Sequence, residues 1–311
     1  MSKLLTRRKV LLAKIESTYG TDPTPNASTD AVLCQDLTWS SAGLKMIERP
    51  AVRPSLGALK HVYAGRLLQV SFTCEVKGSG SAGTAPEIGN LLRACGLDET
   101  VVGATSVTYA PASTGQESAT LYLFEDGKRI ILTGCRGNVS FQAPAGGAVM
   151  ASFTMTGHEA AQTDVSLASP TFDATTPPPF IGGTFVIDSF AATINALSFD
   201  LGNTVATPTD VNGADGYGEI TITGRDINGS IDPLDELVAS EDYLGNFKSG
   251  AAMALSTGAI GGTAGNIVTI AMPAVSYRDA TAADRDGLAA LNLPFGAAES
   301  STDDELSIAF T

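Results

Sequence analysis

The 311-residue chain is poor in the residues that usually carry chemistry. Its two histidines, His61 and His158, lie on different segments, and no H-E-x-x-H or other two-histidine spacing occurs, which argues against a zinc centre. The four cysteines (Cys34, Cys74, Cys95, Cys135) form no C-x-x-C pair, so they read as free, small apolar core residues. There is one tryptophan, and aromatics make up 6% of the chain, too few to expect the aromatic platform of a carbohydrate-binding sandwich. No apolar run approaches the roughly 18 residues of a membrane span. Near the start, basic residues flank only Val10-Leu11-Leu12-Ala13, short of a secretory apolar stretch, so synthesis and retention in a cytosol are expected. No G-x-S-x-G elbow is present, and no Cys–His or Ser–His pairing is suggested.

Positive charge is the other shortage. Net charge is −14, which opposes nonspecific binding to a polyanion. Residues 1–157 hold 15 basic and 12 acidic side chains, whereas residues 158–311 hold 4 and 21. Such asymmetry points to two electrostatically different faces.

What is present is strand. Val70, Phe72, Cys74 and Val76 alternate with polar neighbours, as do Val149, Ala151, Phe153 and Met155, the period of half-buried antiparallel strands. Asp126-Gly127 between two apolar runs predicts a hairpin. Two short helices are expected. One is opened by Pro86, with Ile88, Leu91, Leu92 and Cys95 on its stripe and Gly96 as its stop. The other starts at Asp232, with Pro233 in the first turn, Asp235 three residues after the cap and Leu234, Leu237 and Val238 on its apolar face. Residues 7–16 read equally as helix or strand.

Pro177-Pro178-Pro179 closes a polar linker near the middle of the chain. The pieces on either side share an order: a strand pair, a long loop, an alternating strand, one short helix, then hairpins. Their spacing shrinks steadily, as in a duplication whose second copy has shorter loops; chance similarity between two β-rich halves is the competing account. The expected fold is mainly β: two tandem β-sandwich or barrel domains, each with one short helix. The first spans residues 1–160 and bears a projecting loop at 44–66, a Pro-rich linker spans 161–185, and a more acidic second domain spans 186–311.

Several motifs imitate chemistry. Gly78-x-Gly80-x-x-Gly83 follows a strand and precedes a helix, with Asp98 beyond, like a dinucleotide fingerprint. The preceding strand, however, carries Ser71, Thr73 and Glu75 on one face, whereas a Rossmann strand is apolar throughout. A flexible loop is the better reading. Asp226-x-Asn228-x-Ser230 begins like a calcium loop, but its glycine and its twelfth residue, Leu237, are wrong, so a turn into the Asp232 helix is preferred. Asp284-Arg285-Asp286-Gly287 reads as a charged hairpin turn.

Residues 44–66 are the most unusual segment. Lys45, Arg49, Arg53, Lys60 and Arg66 are interleaved with Ile47, Val52, Leu56, Leu59 and Val62, and Pro50 and Pro54 oppose a helix. A solvated twisted hairpin is the plain reading. An interaction arm explains better why so many apolar side chains lie there.

Taken together, residues 5–25 (LTRRKVLLAKIESTYGTDPTP), 77–86 (KGSGSAGTAP), 91–96 (LLRACG), 106–111 (SVTYAP), 134–141 (GCRGNVSF), 265–270 (GNIVTI), 284–288 (DRDGL) and 304–308 (DELSI) resemble the tail tube (major tail) proteins of long, flexible, non-contractile bacteriophage tails. The match is vaguer over residues 158–250. The resemblance implies a non-enzymatic, cofactor-free virion protein, assembled in the host cytoplasm, whose rings stack into a hollow tube that passes DNA without binding it specifically. It implies tape-measure, tail-terminator and distal tail proteins as partners, with no membrane. A β-sandwich binding module of carbohydrate-binding or adhesin type is the alternative. With two tube-like halves, the expected ring is a homotrimer of pseudo-sixfold symmetry. The arm residues Lys45, Ile47, Arg49, Val52, Arg53, Leu56, Leu59, Lys60 and Arg66 are expected to stack on the next ring. Asp303, Asp304 and Glu305, or the loop bearing Asp210 and Asp215, are the expected partners. Asp200, Glu219, Asp226, Asp235 and Glu236 are candidates for an acidic lumen wall.

Overall fold

The computed structural model describes residues 3–311. Its first half comprises β1 (Lys9–Ile15), β2 (Ala31–Val32), β3 (Cys34–Ile47), β4 (Val62–Glu75), α1 (Gly89–Ala94), β5 (Leu97–Val102), β6 (Ser106–Pro111), β7 (Ala119–Glu125), β8 (Lys128–Pro144) and β9 (Met150–Asp164). Its second half comprises β10 (Val186–Ile187), β11 (Ala196–Asp200), β12 (Thr204–Ala206), β13 (Thr221–Gly224), β14 (Asn228–Ile231), α2 (Tyr243–Ser249), β15 (Met253–Ser256), β16 (Val268–Tyr277), β17 (Thr281–Arg285), β18 (Leu288–Ala297) and β19 (Ser307–Phe310).

The chain is mainly β, as expected, and every pairing between named strands is antiparallel. The ambiguous segment 7–16 forms β1. Its neighbour β7 shows why: Leu121 and Leu123 enter the main core while Tyr122 and Phe124 enter a second cluster on the opposite face. Period two with both faces apolar is a strand buried from both sides. The Asp126-Gly127 turn between β7 and β8 has positive φ at both residues, 38° and 107°, the twist that a two-residue hairpin needs. The turn reading of residues 284–287 also holds, with φ of 55° at Asp286 and 84° at Gly287 between β17 and β18.

The halves repeat one order of pairings. In the first it runs β3–β4–β9–β8–β7–β1. In the second it runs β11–β14–β18–β16–β15–β10. The β5–β6 hairpin is extra to the first order and β19 to the second, and these extras pair with each other through Ile308↔Tyr109 and Phe310↔Val107. A second seam joins β8 to β11 from Ser140↔Asp200 to Pro144↔Ala196, with Phe141 stacked on Phe199 at 4.7 Å. One hydrophobic core therefore crosses the midpoint of the chain, holding Val70, Phe72 and Phe153 together with Ile231, Ile270 and Phe295.

The linker is a strap. Residues 161–164 belong to β9 rather than to the linker. Val165, Leu167, Ala168 and Phe172 then pack over the second cluster. Buried Lys77 donates to the carbonyls of Asp173 and Thr175, both at 2.9 Å.

The first expected helix forms as α1, with Ile88, Leu91, Leu92 and Cys95 buried and Gly96 at φ 82°. The second does not form at Asp232. The Asp232 carboxylate is taken by the amides of Asn195 and Ala196, both at 2.9 Å, so it cannot cap a helix. Leu234 and Asp235 donate their amides to Thr193 and Ala289, and Leu291 donates to Pro233. These ties hold the segment extended, and Asn228–Ser230 is strand β14 rather than a turn. The helix lies later, as α2, where Asp242 accepts from the amide of Gly245 at 2.8 Å and Gly250 ends it at φ 64°.

The Gly-rich loop has a structural use. A Cβ on Gly78 would lie 2.0 Å from the carbonyl oxygen of Gly265, so only glycine permits the approach. There, Gly80 donates to Gly265 and Gly78 to the Asn266 side chain.

Candidate assembly surfaces

Residues 44–66 are only partly irregular. Ile47↔Val62, Met46↔Tyr63 and Lys45↔Gly65 extend the β3–β4 ladder into the segment, so the expected long loop is a long hairpin with an irregular tip at 48–61. Val52 and Leu56 are fully exposed, and Leu44, Met46, Ile47, Val62 and Tyr63 are about half exposed. Leu59 is half-buried.

The five cations divide into two groups. Arg49, Arg53 and Lys60 are exposed at the tip, where Arg53 donates to the Gly57 carbonyl. Lys45 and Arg66 are fixed at the base. Lys45 Nζ donates to the Gly216 carbonyl at 2.6 Å and lies 3.6 Å from the Tyr217 ring centre. Arg66 meets Glu159 at 2.7 Å and the Ser41 hydroxyl at 3.0 Å.

The base is clasped by a loop from the second half of the chain. Tyr217 donates its hydroxyl to the Gly43 carbonyl. Gly65, at φ 122°, leaves room for the Asp215 carbonyl, which a Cβ would meet at 1.9 Å. The Asp215 carboxylate accepts from His158 Nδ1 at 2.7 Å. The Tyr19 hydroxyl accepts from the Ile220 amide at 2.7 Å and is hydrogen-bonded to His158 Nε2 at 3.1 Å. Burial pushes the Tyr19 phenol up to about 12, so it stays a donor. Nearby, Arg136 donates to the carbonyls of Gln116, Glu117 and Ile220 and pairs with Glu219 at 2.8 Å. The arm is thus a hairpin on a fixed mount, and sequence reasoning missed the mount.

The acidic candidates are mostly occupied within the chain. Asp303 accepts from Ser113 at 2.5 Å and pairs with Arg225 at 3.1 Å; the Ser113 hydroxyl first and Arg225 after it hold its carboxyl below the usual range. Glu305 meets Arg225 at 2.9 Å. Asp304 caps a turn through Ser300 and Ser301; the Ser301 amide first and the Ser300 hydroxyl after it hold its carboxyl below the usual range likewise. Asp210 accepts from Asn212 at 2.9 Å. Among the lumen candidates, Asp200 accepts from Asn138 at 2.7 Å and Asp226 pairs with Arg278 at 2.5 Å, which holds its carboxyl low. Asp235 and Glu236 are exposed.

A surface that the sequence reading did not single out lies at 235–242. It follows directly from the failed helix. Leu237 and Val238 are about three-quarters exposed between Asp235 and Glu236 on one side and Glu241 and Asp242 on the other, with no cation in the stretch. The lone tryptophan is no binding platform, since Trp39 packs against the core and donates to Glu125 at 3.3 Å.

A family model described as phage tail tube protein matches residues 6–305. The chain belongs to the phage tail tube protein family. The match covers nearly all of both halves, including the middle region where the sequence likeness is vaguest. A search of curated proteins finds no match. Family membership makes the protein a structural component of the virion tail, in a family that is not enzymatic. Among the described residues, no helix is long and apolar enough to cross a membrane.

Proposed function

We propose that this tail tube protein closes into rings that stack head to tail into a hollow conduit for DNA, and that the 44–66 arm carries the contact between rings. The observation that carries this reading is the arm itself. Apolar side chains stand in solvent at the tip of a hairpin whose base is fixed by Lys45, Gly65, Tyr217 and Asp215. An exposed apolar surface on a rigid mount fits a partner better than it fits water.

The acidic loop 235–242 of the next ring is the best match for the arm. It offers exposed Leu237 and Val238 among carboxylates, whereas Asp303 and Glu305 already serve Arg225. Apolar burial would supply most of the affinity and charge the register and encounter rate. A mainly acidic wall, to which Glu219 and Asp226 contribute, would let a polyanion slide without cationic brakes. Tape-measure, terminator and distal tail proteins would cap and fill the tube.

The ring is proposed to hold three chains. The repeated pairing order supports six similar units per ring, two from each chain. The β8·β11 seam joins units within a chain, and its repeat between chains would set β3, which pairs only with β4 among the described strands, against the neighbour's β16–β17 edge. Ring closure would then cover the open edge of β3.

Deleting residues 50–60 tests the arm. The deletion variant should keep the circular dichroism of the parent, because its ladder and core are untouched, and should form no tubes by electron microscopy. Normal tubes from the folded variant would refute the stacking role.

A further inference from the structure

Cys34 on β3 and Cys74 on β4 are directly opposite each other in the antiparallel ladder, so their side chains share one face. Antiparallel partners come in two kinds, and the hydrogen bonds on the other side of β4 decide which kind this is. Val76 donates its amide to the Val149 carbonyl at 2.9 Å, and the register continues without a shift to Cys74↔Ala151. Amide groups alternate sides along a strand, so those of Cys74 face β9, not β3. Cys34 and Cys74 are therefore a non-hydrogen-bonded pair. In such a pair the Cα atoms are about 4.5 Å apart and the side chains approach most closely. That spacing lies inside the roughly 4.4–6.8 Å that a disulfide spans. Cys34 is half-buried and Cys74 buried.

We propose that Cys34 and Cys74 are an oxidation site, a cross-strand thiol pair that closes to a disulfide once the protein meets an oxidising solution containing a small-molecule disulfide. The thiolate sulfur of Cys34, the more accessible, attacks the small disulfide and releases one thiolate. The thiolate sulfur of Cys74 then attacks the Cys34 sulfur and releases the second. The protein loses two electrons and two protons; the reagent leaves as two thiols. Burial pushes the Cys34 thiol up to about 12 and the Cys74 thiol higher still, with the neighbouring Cys34 adding to the rise at Cys74. Closure is accordingly slow, and in a reducing cytosol the pair stays open. Only the timing, after release of the virion, rests on the tail tube reading. The pair itself does not.

The test uses the purified, unassembled chain, so it is independent of tube formation. The protein is incubated with oxidised glutathione, unfolded, alkylated, digested and analysed by mass spectrometry. The expected product is one Cys34–Cys74 linked peptide per chain, with a mass loss of two hydrogens and with Cys95 and Cys135 alkylated. Oxidation should raise the melting temperature by roughly 5–10 °C. Cys34→Ser should abolish both effects, and Cys74→Ser should trap glutathione on Cys34. A stable glutathione adduct on Cys34 of the parent chain, a disulfide between two chains, or four free thiols after prolonged incubation would each overturn the proposal.

Discussion

At the scale of single residues, the least replaceable polar side chain is Glu16. It is 7% exposed and accepts four hydrogen bonds, from the Gly20 and Gly134 amides and the Ser118 and Thr120 hydroxyls, at 2.6–2.8 Å. Glu16→Ala would leave the Ser118, Thr120 and Gly134 donors buried without a partner, while the exposed Gly20 amide could turn to water. Urea unfolding should show a loss of roughly 3–5 kcal/mol, with Glu16→Gln losing less because one acceptor oxygen remains. Nothing in the sequence marks Glu16, because its donors come from residues more than a hundred positions away as well as from its own loop. Asp303 makes a prediction in pH. Its carboxyl is lowered in the folded state, so its contribution to stability is complete above the ordinary aspartate value of about 3.9 and is lost as pH falls through the lowered value. The stability difference between the parent and Asp303→Asn should be flat above about pH 5 and shrink below about pH 4. A difference that grew with acid would contradict the assignment.

At the scale of elements, legibility followed the reach of the forces involved. The β7–β8 hairpin and α1 are set by neighbours in sequence, and both stand where turn chemistry and periodicity put them. The helix expected at Asp232 failed because its cap carboxylate and backbone amides are claimed by Thr193, Asn195, Ala196 and Ala289, all distant in the chain. The true helix had a readable local signal, Asp242 as cap and Gly250 as stop, that the Pro233 pattern outweighed. The arm was legible as an oddity, whereas its clasp by residues 213–220 was not, since no periodicity links Gly65 to Asp215. Gly65→Ala would force a Cβ into the Asp215 carbonyl at a φ that L-residues avoid. It should release the clasp while sparing the core, seen as faster amide exchange over residues 210–220 with the main unfolding transition shifted by no more than a few degrees. The strand β19 is also testable as an element. Removing residues 307–311 strips buried Ile308 and Phe310, each contributing about 1.5–3 kcal/mol, and opens one edge of β6 and one of β16. Exchange should rise in those two strands first.

At the scale of the whole molecule, the repeated order β3–β4–β9–β8–β7–β1 and β11–β14–β18–β16–β15–β10 sets the symmetry prediction. A tube cross-section by electron cryomicroscopy should show six similar lobes from three chains, alternating in detail because the arm belongs to one lobe of each pair. Six chains per ring would refute it. Charge adds a second test: three tip cations facing an acidic loop should make tube growth slow as salt rises, while established tubes, held by apolar contact, should resist the same salt. The seam at β19 has one further consequence, which concerns the order of synthesis. This strand follows every other named strand in chain order, yet it joins β6 of the first half to β16 of the second. A growing chain therefore cannot complete this sheet until residues 307–310 have been made. Nascent copies crowded on one message do not yet present the completed surface to one another, and a prematurely terminated chain is marked by two open strand edges.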